Sequence, residues 1–221
     1  MFTTRFQSWV RARAHTLAAR LGNLPLSPNQ VTVAGMLVTF GGSVMVGLGM
    51  LRLAGVVLAL SGLFDILDGA LARATDQMRP FGAFLDSTID RYSEGAVYLG
   101  LAAYFLDRHD AFMRPEVIFC LLALGGSLLV SYARARAEAL GFESSGGLFA
   151  RPERVVAIVL ALVLANPWLL AAVVALLALL TNLTVLQRMR AVWVQAENGE
   201  STRLRPGTGP QASSTGSSTP S

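Results

Sequence analysis

Apolar residues run almost unbroken through six stretches of this chain, and polar residues gather at the ends of each. The stretches cover residues 31–50, 53–74, 82–106, 116–140, 153–165 and 167 to about 193. A helix of about 20 apolar residues crosses a bilayer. The fifth stretch is short for that unless residues of 150–153 join it. Helix-start chemistry marks several boundaries. Ser27-Pro28-Asn29-Gln30 offers an N-cap, a proline at the first helical position and a capping-box glutamine. Arg114-Pro115 and Arg151-Pro152 open the fourth and fifth stretches, and Asn166 caps the sixth. Trp168 and Trp193 suit interfacial anchors at the ends of the sixth. Pro80 and Gly82 suggest a turn between the second and third helices, which would then run antiparallel.

The two ends of the chain follow different patterns. Residues 2–21 alternate arginine with apolar residues, and Phe2, Phe6, Trp9, Arg13 and Leu17 fall near one helical face. That pattern predicts an amphipathic helix lying in the membrane interface. It has no continuous apolar core and no small-residue cleavage site, so it does not read as a secretory signal. The end of the chain is rich in Ser, Thr, Gly and Pro, has no apolar pattern, and is expected to be disordered. The fold class expected is therefore an all-α integral membrane protein, with six transmembrane helices plus an N-terminal interfacial amphipathic helix. Three segments follow: 1–26 as interfacial helix and linker, 27–195 as the six-helix domain, and 196–221 as the tail.

Composition agrees. Of 221 residues, 53% are hydrophobic and only 14% charged, too apolar for an ordinary soluble domain. The net charge of +4 comes from arginine alone, since no lysine is present. With six spans, Arg5, Arg11, Arg13, Arg20, Arg73, Arg79, Arg134, Arg136, Arg151, Arg154, Arg188, Arg190, Arg203 and Arg205 fall on the side of the termini. Only Arg52, Arg108 and Arg114 fall on the other. The positive-inside rule then puts both termini in the cytoplasm, in a multi-pass protein of the cell membrane. Topology explains the arginines, and no nucleic-acid motif is present. The single Cys120 excludes a disulfide framework, and His15 and His109 lack metal-ligand spacing.

Four carboxylates interrupt this apolar chain: Asp65, Asp68, Asp86 and Asp90. Ionisable groups at membrane depth are costly and mark function by default. On a helix Asp65 and Asp68 share one face, as do Asp86 and Asp90. Convergence of the two pairs would make a hard-cation site suited to Mg²⁺ or Mn²⁺. Gly69 and Ala72 remove bulk from the same helix surface, so that a flat base or a diphosphate can approach. Arg73 is a planar phosphate donor, or a snorkelling arginine at a helix end. Glu94, one turn beyond Asp90, is expected to pair with Arg91. Arg134 is expected to pair with Glu138 at i, i+4, although its cluster also offers phosphate donors.

The spacing D-x2-D-G-x2-A-R-x8-G-x3-D-x3-D, running from Asp65 to Asp90, resembles the signature of the CDP-alcohol phosphotransferases, and every fixed position is filled. The resemblance implies that Asp65, Asp68, Asp86 and Asp90 hold Mg²⁺ or Mn²⁺, two ions, on the diphosphate of a CDP-linked lipid. It makes Asp90 the general base on the acceptor hydroxyl. CMP would leave as a new phosphodiester forms. Pro28, Asn29 and Thr32 resemble the family's P-N-x-x-T stretch near the nucleotide, where Gly69, Ala72 and Arg73 would also lie. Capping and nucleotide contact are compatible uses of Pro28 and Asn29.

Arginines at three helix ends raise the question of the acceptor. Arg134 and Arg136, Arg151 and Arg154, and Arg188 and Arg190 lie level with the acidic motif. They can clamp a phosphate or anchor the protein on anionic head groups. Ser131 to Glu138, Arg151-Pro152-Glu153-Arg154 and Gln187-Arg188 resemble bacterial phosphatidylinositol-phosphate synthases. That likeness implies an acceptor-phosphate site at Ser131, Arg154 and Arg188, with Arg134 as a further candidate, and inositol 1-phosphate as acceptor. Glycerol 3-phosphate, giving phosphatidylglycerophosphate, is the alternative. CDP-diacylglycerol, the phosphorylated alcohol and membrane lipids are the expected partners, and a homodimer is expected, with Gly95, Gly125 and Gly126 offering room for close helix contact. A transporter would place its ionisable groups near the bilayer midplane on broken helices, whereas these lie toward one end.

Overall fold

In a computed structural model of the chain, residues 27–74, 79–107, 115–144 and 151–199 are described. The expected interfacial helix of residues 1–26 and the tail from residue 200 onward lie outside the described residues. The described chain is helical: α1 (Pro28–Gly47), α2 (Leu51–Ala74), α3 (Pro80–Asp107), α4 (Pro115–Leu140), α5 (Arg151–Leu164) and α6 (Pro167–Glu197).

Local chemistry sets the helix starts. The Gln30 N–H donates to the Ser27 hydroxyl at 3.3 Å, and the Ser27 N–H donates to the Gln30 side chain at 2.9 Å. This is the capping box expected of that sequence, with Pro28 at the first helical position. Asn166 accepts from the N–H groups of Trp168 and Leu169 and so caps α6. Between α1 and α2 the chain turns through Gly49, whose φ of 76° belongs to the left-handed region glycine tolerates. Pro80 and Gly82 do not form the turn expected of them. Pro80 opens α3 and Gly82 lies in its first turn, because a proline at the helix start forgoes an N–H that would be unpaired there anyway. At the other end α6 continues through Glu197, a turn past Trp193 and into the segment expected to be tail.

Each helix packs on two others, and the pairs close into a ring in the order α1, α2, α5, α6, α4, α3. Val46, Ala54, Leu58, Leu101, Leu162 and Leu177 belong to the buried core. Small residues let the backbones meet, the usual device where lipid gives no hydrophobic drive. A Cβ on Gly100 of α3 would lie 2.3 Å from the Ser43 carbonyl oxygen of α1. A Cβ on Gly126 of α4 would lie 2.3 Å from the Thr181 hydroxyl of α6. Gly126 therefore serves close packing between α4 and α6. Gly95 lies near Leu124, while Gly125 faces open space.

Four of the helices are long and apolar enough to cross a membrane: α1, α2, α4 and α6. The expected six are thus met in part. α3 has the length but carries Asp86, Asp90, Arg91 and Glu94. α5 has 14 residues, about 21 Å of helix against a hydrocarbon core of about 30 Å. Large apolar side chains cover the outside, among them Leu37, Phe84, Leu106, Leu160 and Leu186. Trp168 is 84% exposed at one end of α6 and Trp193 is exposed near the other, as interfacial anchors would be. The chain is an integral membrane protein.

Candidate active site

The acidic motif occupies the last turns of α2 and the first turns of α3. Asp65 interacts electrostatically with Asp86, Asp68 with Asp86 and Asp65, and Asp90 with Asp86 and Asp65. Asp65 and Asp90 also share Arg151, so the two carboxylate pairs approach one another although α2 and α3 are not packing neighbours.

Asp68 is buried and held from two directions. The Gly69 N–H donates to one carboxylate oxygen at 2.5 Å, and the Thr32 hydroxyl lies 2.7 Å from the other. That hydroxyl is also 3.1 Å from the Pro28 carbonyl. It has a single proton, and the charged acceptor is the stronger partner. The P-N-x-x-T stretch thus reaches the acidic motif through Thr32. Asn29 meets it as well, since a Cβ on Gly82 would lie 3.4 Å from the Asn29 Oδ1. Ala72 is half-buried on α2; the side chain of Arg73 lies outside the described residues.

α5 brings the opposite charge. Arg151 spans two of the aspartates, with Nη1 3.2 Å from Asp65 and Nη2 2.8 Å from Asp90. One turn further, Arg154 Nε lies 2.9 Å from Glu94 Oε1, and its Nη2 lies 3.2 Å from Glu94 Oε2. The expected Glu94–Arg91 pair is therefore replaced. Arg91 donates instead to the Ser87 carbonyl on its own helix, and Arg154, arriving from α5, presents Glu94 with a planar fork that fits both its oxygens. A cavity of about 50 Å³ opens among these groups, lined by Thr39, Ser61, Asp65, Glu94, Arg151 and Arg154.

The other acceptor candidates divide. Arg188 donates to the Val130 carbonyl at 2.6 Å, beside the half-buried Ser131, and lies within electrostatic reach of Arg154 and Arg134. Arg134 forms the expected i, i+4 pair with Glu138 at 2.8 Å, on an exposed face.

The donor chemistry suits a hard divalent cation, since the four carboxylates supply oxygen ligands only. In this side-chain arrangement no group of three or more His, Cys, Asp or Glu among the described residues is close enough to ligate one ion. Arg151 supplies the positive charge between Asp65 and Asp90 instead. The residues fit a cation, provided Asp65 and Asp90 rotate from the guanidinium.

From sequence alone Arg151 belongs only to a general arginine cluster, and Glu94 turns toward its own helix. The signal for both was a shared spacing. Asp90 and Glu94 are one turn apart on α3, and Arg151 and Arg154 are one turn apart on α5, so two ion pairs can stack between the helices.

Known proteins resemble the chain over most of its length. The family model for CDP-alcohol phosphatidyltransferase matches residues 25–193. The archaetidylinositol phosphate synthase of Methanothermobacter thermautotrophicus is 38% identical over 192 residues, 86% of this chain and 93% of that protein. The phosphatidylinositol phosphate synthase of Mycolicibacterium smegmatis is 38% identical over 177 residues, 76% of this chain and 78% of that protein. Two crystal structures of the Mycobacterium tuberculosis phosphatidylinositol phosphate synthase are similar at 35% identity, each covering 81% of this chain. One has CDP-DAG bound, with a TM-score of 0.75 and 93% of that chain covered; the other is in complex with manganese and citrate, with a TM-score of 0.76 and 88% covered. With the signature complete and its four aspartates converging at one end of a six-helix ring, the chain belongs to the CDP-alcohol phosphatidyltransferase family.

Proposed function

We propose that this enzyme transfers a phosphatidyl group from CDP-diacylglycerol to the hydroxyl of inositol 1-phosphate and releases CMP. The observation that carries this reading is the pairing of Asp65, Asp90 and Glu94 with Arg151 and Arg154 beside one cavity. Carboxylates suited to a cation-bound diphosphate stand beside guanidinium groups suited to a second phosphate. A CDP-linked donor needs the first and a phosphorylated acceptor needs the second. The relatives named for inositol phosphate lipids support the choice of alcohol.

Asp65, Asp68, Asp86 and Asp90 would hold Mg²⁺ or Mn²⁺, as two ions. Bound there, the cations neutralise diphosphate charge and act as Lewis acids. Pro28, Asn29, Thr32, Gly69, Ala72 and Arg73 form the face toward the cytidine diphosphate, and Thr32 keeps Asp68 oriented. Ser131, Arg154 and Arg188 hold the acceptor phosphate. That places the acceptor hydroxyl near Asp90, which takes its proton as the oxygen attacks the phosphorus bearing the lipid. The bond from that phosphorus to CMP breaks as the new phosphodiester forms. Holding both substrates in line supplies much of the acceleration, as in phosphoryl transfer generally.

All six helices would span the cytoplasmic membrane, with the acidic end facing the cytoplasm, where the arginine asymmetry puts it. The α3 acids then line the site rather than face lipid, and α5 needs its neighbours to complete the crossing. The enzyme would act as a homodimer, with Gly125 open on the surface for close approach. Asp68→Asn tests the site. Turnover in CMP release from CDP-diacylglycerol should fall more than about tenfold, roughly 1.4 kcal/mol of barrier, while the protein stays folded. A smaller loss would remove Asp68 as a principal ligand.

A further inference from the structure

Glu94 lies outside the signature, yet it makes an enclosed ion pair, with side-chain exposures of 9% for Glu94 and 3% for Arg154. A buried ion pair seldom stabilises a fold more than apolar residues of the same volume would. Ionisable groups at membrane depth mark function by default. The pair also has a specific geometry. Glu94 takes the Nε and Nη2 side of the guanidinium with both of its oxygens. Two bonds to one carboxylate fix the plane of a guanidinium as well as its position. α3 and α5 are not packing neighbours in the ring. Arg151 to Asp90 and Arg154 to Glu94 cross between them, and both line or adjoin the cavity.

We propose that Glu94 is a positioning residue for the acceptor: it aligns the Arg154 guanidinium so that a phosphate entering the cavity meets a preset donor. The inference rests on the reading of Arg154 as an acceptor-phosphate contact. Without Glu94 the long arginine side chain would have several rotamers to choose among, and binding would have to order it. In this reading Glu94 acts through Arg154, so its loss lowers acceptor affinity and leaves the cytidine diphosphate face intact.

The test compares wild type, Glu94→Gln and Glu94→Asp in CMP release, titrating CDP-diacylglycerol and, separately, inositol 1-phosphate and glycerol 3-phosphate. Glu94→Gln keeps the shape and removes the charge. It should raise the KM for the acceptor at least about tenfold, the size of one charged hydrogen bond, and change the KM for CDP-diacylglycerol less than about twofold. Glu94→Asp keeps the charge, so the pair survives, and it should recover acceptor affinity in part; it decides by the same split if the Gln variant does not fold. Parallel changes in both KM values, or a fall in kcat alone, would make Glu94 a structural residue and overturn the proposal. A wild-type enzyme that uses neither phosphorylated acceptor would overturn the acceptor reading itself, and this inference with it, before any variant is compared.

Discussion

Thr32 on α1 donates its hydroxyl to Asp68 on α2 at 2.7 Å, joining two sequence motifs 36 positions apart. Asp68 is the most buried of the four aspartates, and a hydrogen bond to a charged group contributes about 1.5–3 kcal/mol. Thr32→Val keeps the volume and removes that bond. Turnover in CMP release should fall about tenfold or more, and thermal unfolding in detergent should come at a lower temperature. Thr32→Ser, which restores the hydroxyl, should recover most of both. Equal activity in all three proteins would show that the bond does not orient Asp68.

Arg151 stands between Asp65 and Asp90. Removing it leaves two neighbouring carboxylates without their shared counter-charge. Arg151→Ala should therefore unfold at a lower temperature than wild type in the presence of a chelator. Added Mn²⁺ should narrow that gap, because a cation replaces the missing charge. The stability effect should be modest, since these side chains are partly exposed and solvent screens them. A gap that Mn²⁺ leaves unchanged would mean that the cation does not bind between these aspartates.

Two adjacent glycines on α4 make a paired test of packing. Gly126 has no room for a methyl group against Thr181, whereas Gly125 has nothing within 4 Å. Gly126→Ala should destabilise the protomer by about 1–3 kcal/mol, as overpacking does. Gly125→Ala should unfold like wild type under the same conditions. If Gly125→Ala instead shifts a dimer to monomer in nanodiscs, that face is the interface of the proposed homodimer.

Much of this molecule was legible in the sequence, and the failures have physical causes. The helix starts at Ser27 and Asn166 were readable because capping is local chemistry within a few residues. Helical spacing made it legible that Asp65 and Asp68 share a face, as do Asp86 and Asp90; that α2 and α3 are not packing neighbours, and that α5 reaches both pairs through Arg151, was not. Pro80 was misread because a proline serves equally well in a turn and at a helix start. Glu94 was misread because its partner lies 60 positions away, and an i, i−3 neighbour was the only arginine that periodicity could offer. The role of Arg151 depends on how α5 packs on α2 and reaches toward α3, which no local pattern encodes. The closed ring likewise depends on long-range packing.

Topology can be tested without activity. Single cysteines at position 110 and in the C-terminal tail, in a Cys120→Ala background, should label from opposite sides of the membrane. Labelling from the same side would contradict six spans with both termini in the cytoplasm.

The most direct test of the proposed reaction is the acceptor itself. Purified enzyme should be given CDP-diacylglycerol and Mg²⁺ or Mn²⁺ with inositol 1-phosphate, glycerol 3-phosphate, inositol or serine in turn, and the lipid product should be weighed by mass spectrometry. The expected result is CMP release with inositol 1-phosphate, a lipid product that retains the acceptor's phosphate, and loss of activity on thorough chelation. Arg154→Ala and Arg188→Ala should each lose about tenfold to a hundredfold in acceptor efficiency, with little change in the KM for CDP-diacylglycerol. Preference for inositol or serine, or wild-type acceptor efficiency in both arginine variants, would contradict a phosphorylated acceptor held by these arginines.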